Sequence, residues 1–157
     1  MLLPRIKLRR DTADVVLVSA NRQLQERLRG AFKGVKRYEF RAIDGALMQV
    51  AAQLDSGPAI LIADLDEEPT TVIAAIENLR RHRFEGPILA MSDTLDEASV
   101  RALLHFRIAD WLPASAPGEQ IVQACERALT LKRRPHRTTP LECISFVPAA
   151  GGVGNTT

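Results

Sequence analysis

Five times along the chain a short apolar run gives way to a longer stretch in which apolar residues recur every three or four positions. The runs are Val15-Val16-Leu17-Val18, the alternating Tyr38-Glu39-Phe40-Arg41-Ala42, Ile60-Leu61-Ile62-Ala63, Ile88-Leu89-Ala90-Met91 and Trp111-Leu112. An unbroken apolar run bounded by turn signals predicts a strand buried on both faces, and the longer spacing predicts an amphipathic helix. Strand then helix, repeated, predicts an α/β domain with a parallel sheet covered by helices on both sides.

The first strand is predicted over residues 13–19, followed by a helix from Arg22 to Lys33 that Asn21 caps and Gly34 closes, with Leu24, Leu28, Ala31 and Phe32 inward. Residues 37–43 alternate charged and apolar positions, as an edge strand does. Asp44-Gly45 opens a second helix to Asp55, turning Leu47, Val50, Ala51 and Leu54 to the core. Ser56-Gly57-Pro58 leads into the third strand, residues 59–63, which stops at Asp64 and passes into the acidic loop Asp66-Glu67-Glu68-Pro69. Thr70 or Thr71 caps a third helix to His82, built on Val72, Ile73, Ile76 and Leu79. The fourth strand covers 88–92 and the fourth helix 93–106, with Ala98, Ala102, Leu103 and Phe106 buried. The fifth strand covers 109–113. A fifth helix runs from Gly118 to Lys132 on Ile121, Val122, Cys125, Ala128 and Leu129.

The pattern ends there. Lys132-Arg133-Arg134-Pro135-His136-Arg137-Thr138-Thr139-Pro140 has no apolar period and reads as a basic linker. Leu141 to Val147 then predicts a new strand, and residues 1–13 a basic leader or a loosely attached edge segment. A chain of 157 residues accommodates one ordinary domain of about 120 residues and a remainder. With 25% charged residues, 46% hydrophobic residues and a net charge of +2, no global field points to nucleic acid or membrane. Aromatics at 4% argue against a stacking platform for single strands. The basic run at 132–137 is read as solvated, with nucleic acid or acidic lipid as the other reading. Cys125 and Cys143 lack the spacing of a zinc site or a disulfide framework, so no metal site is expected. No run approaches the roughly 20 apolar residues of a membrane span, and no secretory leader is recognisable, so a cytoplasmic protein without direct membrane insertion is expected.

Chemistry in parallel sheets gathers beyond the carboxyl ends of the strands. Asp64 and Ser92 stand at such ends, and the fifth strand carries Trp111. From the residues alone, Asp64 is either a reaction site or a carboxylate that orders its loop. Ser92 and Asp93 either act beside it or cap the fourth helix.

The five-unit order together with Asp64, Ser92 and Ala109-Asp110-Trp111-Leu112 resembles a response-regulator receiver domain, a flavodoxin-like three-layer sandwich with a five-stranded parallel sheet. The resemblance implies that Asp64 is the phosphoacceptor position and that Ser92 and Trp111 hold switch positions. Phosphoryl transfer to a carboxylate needs a divalent cation held by acidic residues and a fixed positive charge at the phosphoryl oxygens. The family's acidic pair falls at Ser19-Ala20-Asn21, where no carboxylate stands. Its lysine falls near Ala114, and Ser115 replaces the proline that follows. Asp66, Glu67 and Glu68 share a loop with Asp64 and do not replace ligands from the neighbouring strand. The expectation is a vestigial acceptor in a non-phosphorylated pseudo-receiver. The alternative is a receiver phosphorylated on Asp64 that controls an attached P-loop ATPase.

Ala150-Gly151-Gly152-Val153-Gly154-Asn155-Thr156-Thr157 is similar to the deviant phosphate loop of ParA/MinD ATPases, Lys-Gly-Gly-Val-Gly-Lys-Thr-Thr. Glycines let backbone amides turn toward phosphates, a lysine reaches the outer phosphates and a threonine holds magnesium. The resemblance implies nucleotide-binding positions at Gly151, Gly152, Val153, Gly154, Asn155, Thr156 and Thr157, with ATP and magnesium as cofactors of a full-length protein and none in this part. Ala150 and Asn155 stand where the lysines belong, so hydrolysis is not expected and the chain is not read as an enzyme.

A receiver-like domain over 1–132, a basic linker over 133–140, and the first strand and incomplete phosphate loop of a ParA/MinD-like domain over 141–157 together resemble the TadZ/CpaE family of Flp/Tad pilus assembly proteins. That resemblance implies a bacterial cytoplasmic protein recruited to a cell pole or to inner-membrane pilus machinery. It implies partners among pilus secretion or polar localisation proteins and, as a homodimer, a second copy of the chain. Receivers pair through the fourth helix, fifth strand and fifth helix, which here carry Arg101, His105, Arg107, Trp111 and Glu119. Trp111 is either an anchor of that face or a half-buried strand residue.

Overall fold

Val15, Val16 and Leu17 have no exposed surface, because the strand they form is covered on both sides. The structure, a computed structural model, describes residues 12–52, 54, 59–66 and 68–133. Residues 1–11, Asp55 and the Ser56-Gly57-Pro58 turn, Glu67, the linker beyond Arg133 and the tail with Cys143 and the phosphate-loop positions lie outside the described residues.

The elements are β1 (Ala13–Val18), α1 (Arg22–Phe32), β2 (Tyr38–Ile43), α2 (Leu47–Ala51), β3 (Ile60–Asp64), α3 (Pro69–Arg81), β4 (Ile88–Met91), α4 (Glu97–His105), β5 (Asp110–Leu112) and α5 (Gly118–Arg133). The strands are parallel in the order β2-β1-β3-β4-β5, the flavodoxin-like order, with β2 at an edge as its alternating pattern predicts. Val18 pairs with Ile43 and Ala63, Asp64 with Met91, and Met91 with Leu112. This register brings the residues after β1, β3, β4 and β5 out at one edge.

Strand alternation divides the core in two. Val15, Leu17, Ile60 and Ile62 join Leu24, Leu28 and Phe32 of α1 and Ile121 and Cys125 of α5. Val16, Val18, Leu61 and Ala63 join Leu47 of α2, Ile76 and Leu79 of α3 and Leu103 of α4. Each fully buried Val, Leu or Ile contributes roughly 1.5–3 kcal/mol. Helices α1 and α5 approach so closely that a Cβ on Gly118 would lie 2.4 Å from that of Ala31. Burial pushes the Cys125 thiol up to about 12, so it stays a protonated core residue at neutral pH.

Three helix starts differ from expectation. Helix α2 begins at Leu47 and covers five residues, because Gly45 has a φ of +132° that no helix continues through. Helix α3 begins at Pro69, with Glu68 as its N-cap rather than Thr70 or Thr71. A proline at the first helical position gives up an amide that has no partner there anyway. The Thr71 hydroxyl donates back to Glu68 at 2.9 Å. Helix α4 begins at Glu97, where Asp96 accepts from the Ser99 amide at 2.9 Å, so Ser92 and Asp93 are not its caps. That late start leaves Ala98 exposed and Leu103 as the fully buried residue of α4. Asn21 does cap α1, accepting from the Leu24 amide at 3.2 Å. No helix among the described residues is long and apolar enough to cross a membrane.

Candidate functional site

The level strand ends place Ser19, Asp64, Asp66, Ser92, Asp93 and Ser115 along one edge, and hydrogen bonds run through them. Ser19, buried to 3% exposure, donates its hydroxyl to Asp64 Oδ2 at 2.5 Å and accepts from the Asn21 amide at 2.9 Å. Gln25 of α1 donates to the Ser19 carbonyl at 2.7 Å, which fixes that loop against the helix. Asp64 Oδ1 accepts from the Asp66 amide at 3.1 Å, and Asp66 Oδ1 accepts from the Asp93 amide at 3.1 Å. Asp93 Oδ1 in turn accepts from the Ser115 amide at 3.1 Å and from its hydroxyl at 2.9 Å. The relay spans the loops after β1, β3, β4 and β5.

Ser92 stands at the predicted place but its hydroxyl turns into its own loop. It donates to the Thr94 carbonyl at 2.7 Å and accepts from the Thr94 amide at 3.2 Å. Trp111 is tied to the same loop, its indole Nε1 donating to the Ser92 carbonyl at 3.1 Å, while its side chain leaves the residue 43% exposed. Trp111 is therefore a strand residue with a fixed polar end and an exposed ring.

The donors from Ser115 hold the Asp93 carboxyl below the ordinary aspartate value, first its amide and then its hydroxyl, with the nearby charge of Arg27 acting the same way. Sequence reasoning missed Arg27. It reaches from α1 to donate to the carbonyl of Ala114, the position where the receiver pattern has its lysine. A solvated arginine on the polar face of a helix gives no local sign of such a reach, since the partners are 87 residues apart.

A cleft of 210 Å³ opens beside Asp64, lined among others by Ser19, Ala20, Gly45, Leu47 and Glu68. Glu68 is engaged with Thr71, and Asp66 with Asp93, so neither stands free beside Asp64. Among the described residues no group of three or more His, Cys, Asp or Glu side chains is arranged to hold a metal ion. The arrangement presents one carboxylate whose two oxygens both accept hydrogen bonds, beside a small cleft.

The expected pairing face is spread over two places. Trp111 lies on β5, Arg101 on α4 beside Glu97, and Glu119 in the first turn of α5. His105 and Arg107 lie instead at the far end of α4, lining a groove at the opposite edge of the sheet. Leu104, 69% exposed and three residues along the helix from Arg101, was not singled out from the sequence. Its neighbour Leu103 takes the core position, as the helical period predicts.

No family model matches the chain, and no curated protein does. Solved structures do. A CpaE pilus assembly protein from Burkholderia thailandensis is 19% identical, with 76% of this chain and 99% of that one covered at a TM-score of 0.66. A CpaE2 pilus assembly protein from Sinorhizobium meliloti is 17% identical over 73% of this chain and 98% of that one, at 0.62. A signal receiver domain of a two-component histidine kinase from Clostridium thermocellum is 15% identical over 74% and 97%, at 0.64. At these identities the likeness is one of fold, and the fold is that of a receiver.

Proposed function

We propose that this domain is a pseudo-receiver, serving self-association and localisation in a TadZ/CpaE-like, ATPase-related protein of Flp/Tad pilus assembly. The observation that carries the reading is the Ser19 hydroxyl on Asp64 at 2.5 Å. A carboxylate at the end of β1 would add negative charge beside Asp64 and draw in a divalent cation. A hydroxyl adds no charge and donates a hydrogen bond to the Asp64 oxygen. The Ser92 hydroxyl is committed to Thr94, which turns it away from a phosphoryl group on Asp64. The fold shared with CpaE proteins supports the pilus assembly context.

On this reading the domain covers 1–132, the linker 133–140, and residues 141–157 begin a ParA/MinD-like domain. There Gly151 to Thr157 bind ATP and magnesium in the full-length protein without efficient hydrolysis. The protein works in the bacterial cytoplasm, at a pole or at inner-membrane pilus machinery. Copies pair through α4, β5 and α5, where the exposed Leu104 and Trp111 supply apolar surface.

Incubation with acetyl phosphate and magnesium, followed by intact mass, tests the chemistry. No phosphoryl adduct is expected. An adduct that disappears in Asp64→Ala would overturn the reading and make the domain a phosphorylated receiver. Pairing is tested by sedimentation, where a dimer converted to monomer by Leu104→Asp is expected and a monomeric parent chain counts against it.

A further inference from the structure

At the amino edge of the sheet, opposite Asp64, lies a groove of 620 Å³ lined by the ends of α3, α4 and α5 and the turns after α3 and α4. Both turns have the same construction. After α3, the Arg83 amide donates to the Arg80 carbonyl at 3.1 Å and the Phe84 amide to the Leu79 carbonyl at 3.0 Å. After α4, the Arg107 amide donates to Leu104 at 3.1 Å and the Ile108 amide to Leu103 at 3.3 Å. These are Schellman turns, in which the residue after the cap adopts a left-handed conformation and is usually glycine. Here it is arginine twice, Arg83 with a φ of 63° and Arg107 with a φ of 53°.

Arg80 joins the two turns. Its Nη1 donates to the carbonyls of Phe84 and Gly86 at 2.7 and 2.9 Å, its Nε to Phe106 at 3.1 Å and its Nη2 to Arg107 at 3.1 Å. The two strained arginines are thus mounted on a rigid base. Arg29, Arg37, Arg41, Arg81, Arg101 and Arg127 each have a carboxylate partner. Among the described residues Arg83, Arg107 and Lys132 have none, as is also true of Arg22, Lys33 and Lys36 elsewhere, but these three line one groove together with Glu85, its apolar surface coming from Phe84, Phe106 and Pro87. A glycine position given to arginine costs stability locally, and such sites gather where a surface has work to do.

The opposite edge carries the complementary charge. Asp44, Asp66, Glu68, Asp93 and Asp96 are exposed there, five carboxylates against the single charge of Arg27 beside Asp93. Strand direction separates the two edges, so within one molecule they do not meet. We propose that the groove of Arg83, Arg107 and Lys132 receives the acidic carboxyl edge of a second copy of this chain, so that domains associate head to tail. Such a contact uses two different patches and propagates, unlike the isologous pairing through α4, β5 and α5, on which it does not depend.

Sedimentation velocity of the 157-residue chain at about 10 mM and about 1 M salt, where charges are screened beyond roughly 30 Å and 3 Å, is the first measurement. Concentration-dependent growth is expected at low salt and its loss at high salt. Arg83→Asn with Arg107→Asn removes the charge while keeping a residue that tolerates the left-handed backbone, so folding is not endangered. Asp44→Asn, Asp66→Asn and Glu68→Gln remove charge from the other edge and keep acceptor oxygens. Each set is expected to weaken the low-salt association about tenfold. A mixture of the two sets is expected to associate again, because one retains the edge and the other the groove. Association unchanged by either set, or not regained on mixing, overturns the proposal. Binding of the parent chain, but not the arginine variant, to phosphatidylserine vesicles without any self-association also overturns it and assigns the groove to a lipid surface.

Discussion

At the carboxyl edge, Ser19, Asp64, Asp66, Asp93 and Ser115 pass hydrogen bonds from loop to loop, whereas at the amino edge the single guanidinium of Arg80 takes four backbone carbonyls from two turns. The first arrangement is distributed, and each link involves one or two bonds. The second is centralised and leaves its neighbouring cations unpaired. Polar groups at strand and helix ends must be satisfied either way. The difference lies in how each end is held: acids that brace one another's loops and stay exposed at one end, and cations left over by a central guanidinium at the other.

The largest effect should follow from removing the centre of the amino edge. Arg80→Met keeps the stem but leaves the carbonyls of Phe84, Gly86, Phe106 and Arg107 without their donor, and a loss of about 3 kcal/mol is expected in urea unfolding. Lysine, a point charge that cannot fork among four acceptors, should recover less than half of it. A loss below about 0.5 kcal/mol would mean that water replaces the guanidinium and that the turns are not held by it.

At the carboxyl edge a single removal should cost less. Ser19→Ala deletes the donor to Asp64 and the acceptor for the Asn21 amide, at an expected cost of about 1.5 kcal/mol. Ser19→Asp is more informative, because it sets a second carboxylate against Asp64. It should lower stability without magnesium and make the unfolding temperature rise with magnesium, which the parent chain should not show. A parent chain that gains as much from magnesium would remove the contrast with a phosphorylated receiver.

The sheet itself was legible because its strands are apolar runs cut off by turn residues, and β2 betrayed its edge position by alternating. Helix starts were less so. From Ser92 to Asp96 four residues are able to cap α4, and Asp96 does so while Ser92 is engaged with Thr94 and Asp93 with Ser115, 22 residues away. The same distance problem hid the site's other links, since Ser19 and Asp64 are 45 residues apart and Arg27 and Ala114 are 87. Position alone marked Asp64 and Ser92 correctly as strand-end residues. The direction in which each hydroxyl points was beyond any local pattern. The left-handed turns at Arg83 and at Arg107, which was named only for the pairing face, gave no sign, because such a backbone contradicts what an arginine usually signals.

That contradiction supplies a smaller test of opposite sign. Replacing Arg107 with asparagine should stabilise the chain by about 0.5 kcal/mol, since asparagine enters the left-handed region at less cost and no carboxylate partner is lost. No substitution in the hydrogen-bonded relay of the carboxyl edge should do the same. A stabilising Ser19→Ala, or a destabilising Arg107→Asn in urea unfolding, would erase the asymmetry between the two edges.

The smallest effect concerns the last link of the relay. The Ser115 amide, then its hydroxyl, hold the Asp93 carboxyl below the ordinary aspartate value. A depressed folded value means that the unfolded chain binds the proton more readily, so the stabilisation is present above the unfolded value and disappears as pH falls through the folded one. In carboxyl-detected NMR the Asp93 midpoint should lie below the ordinary aspartate value in the parent chain and move up in Ser115→Ala. Asp96 is lowered by the Ser99 hydroxyl and amide instead, so its midpoint should stay where it is and serve as the internal reference. An Asp93 that titrates at the ordinary value while Asp96 remains low would mean that the relay ends at Asp66 and that the β5 loop is held by Arg27 on Ala114 alone.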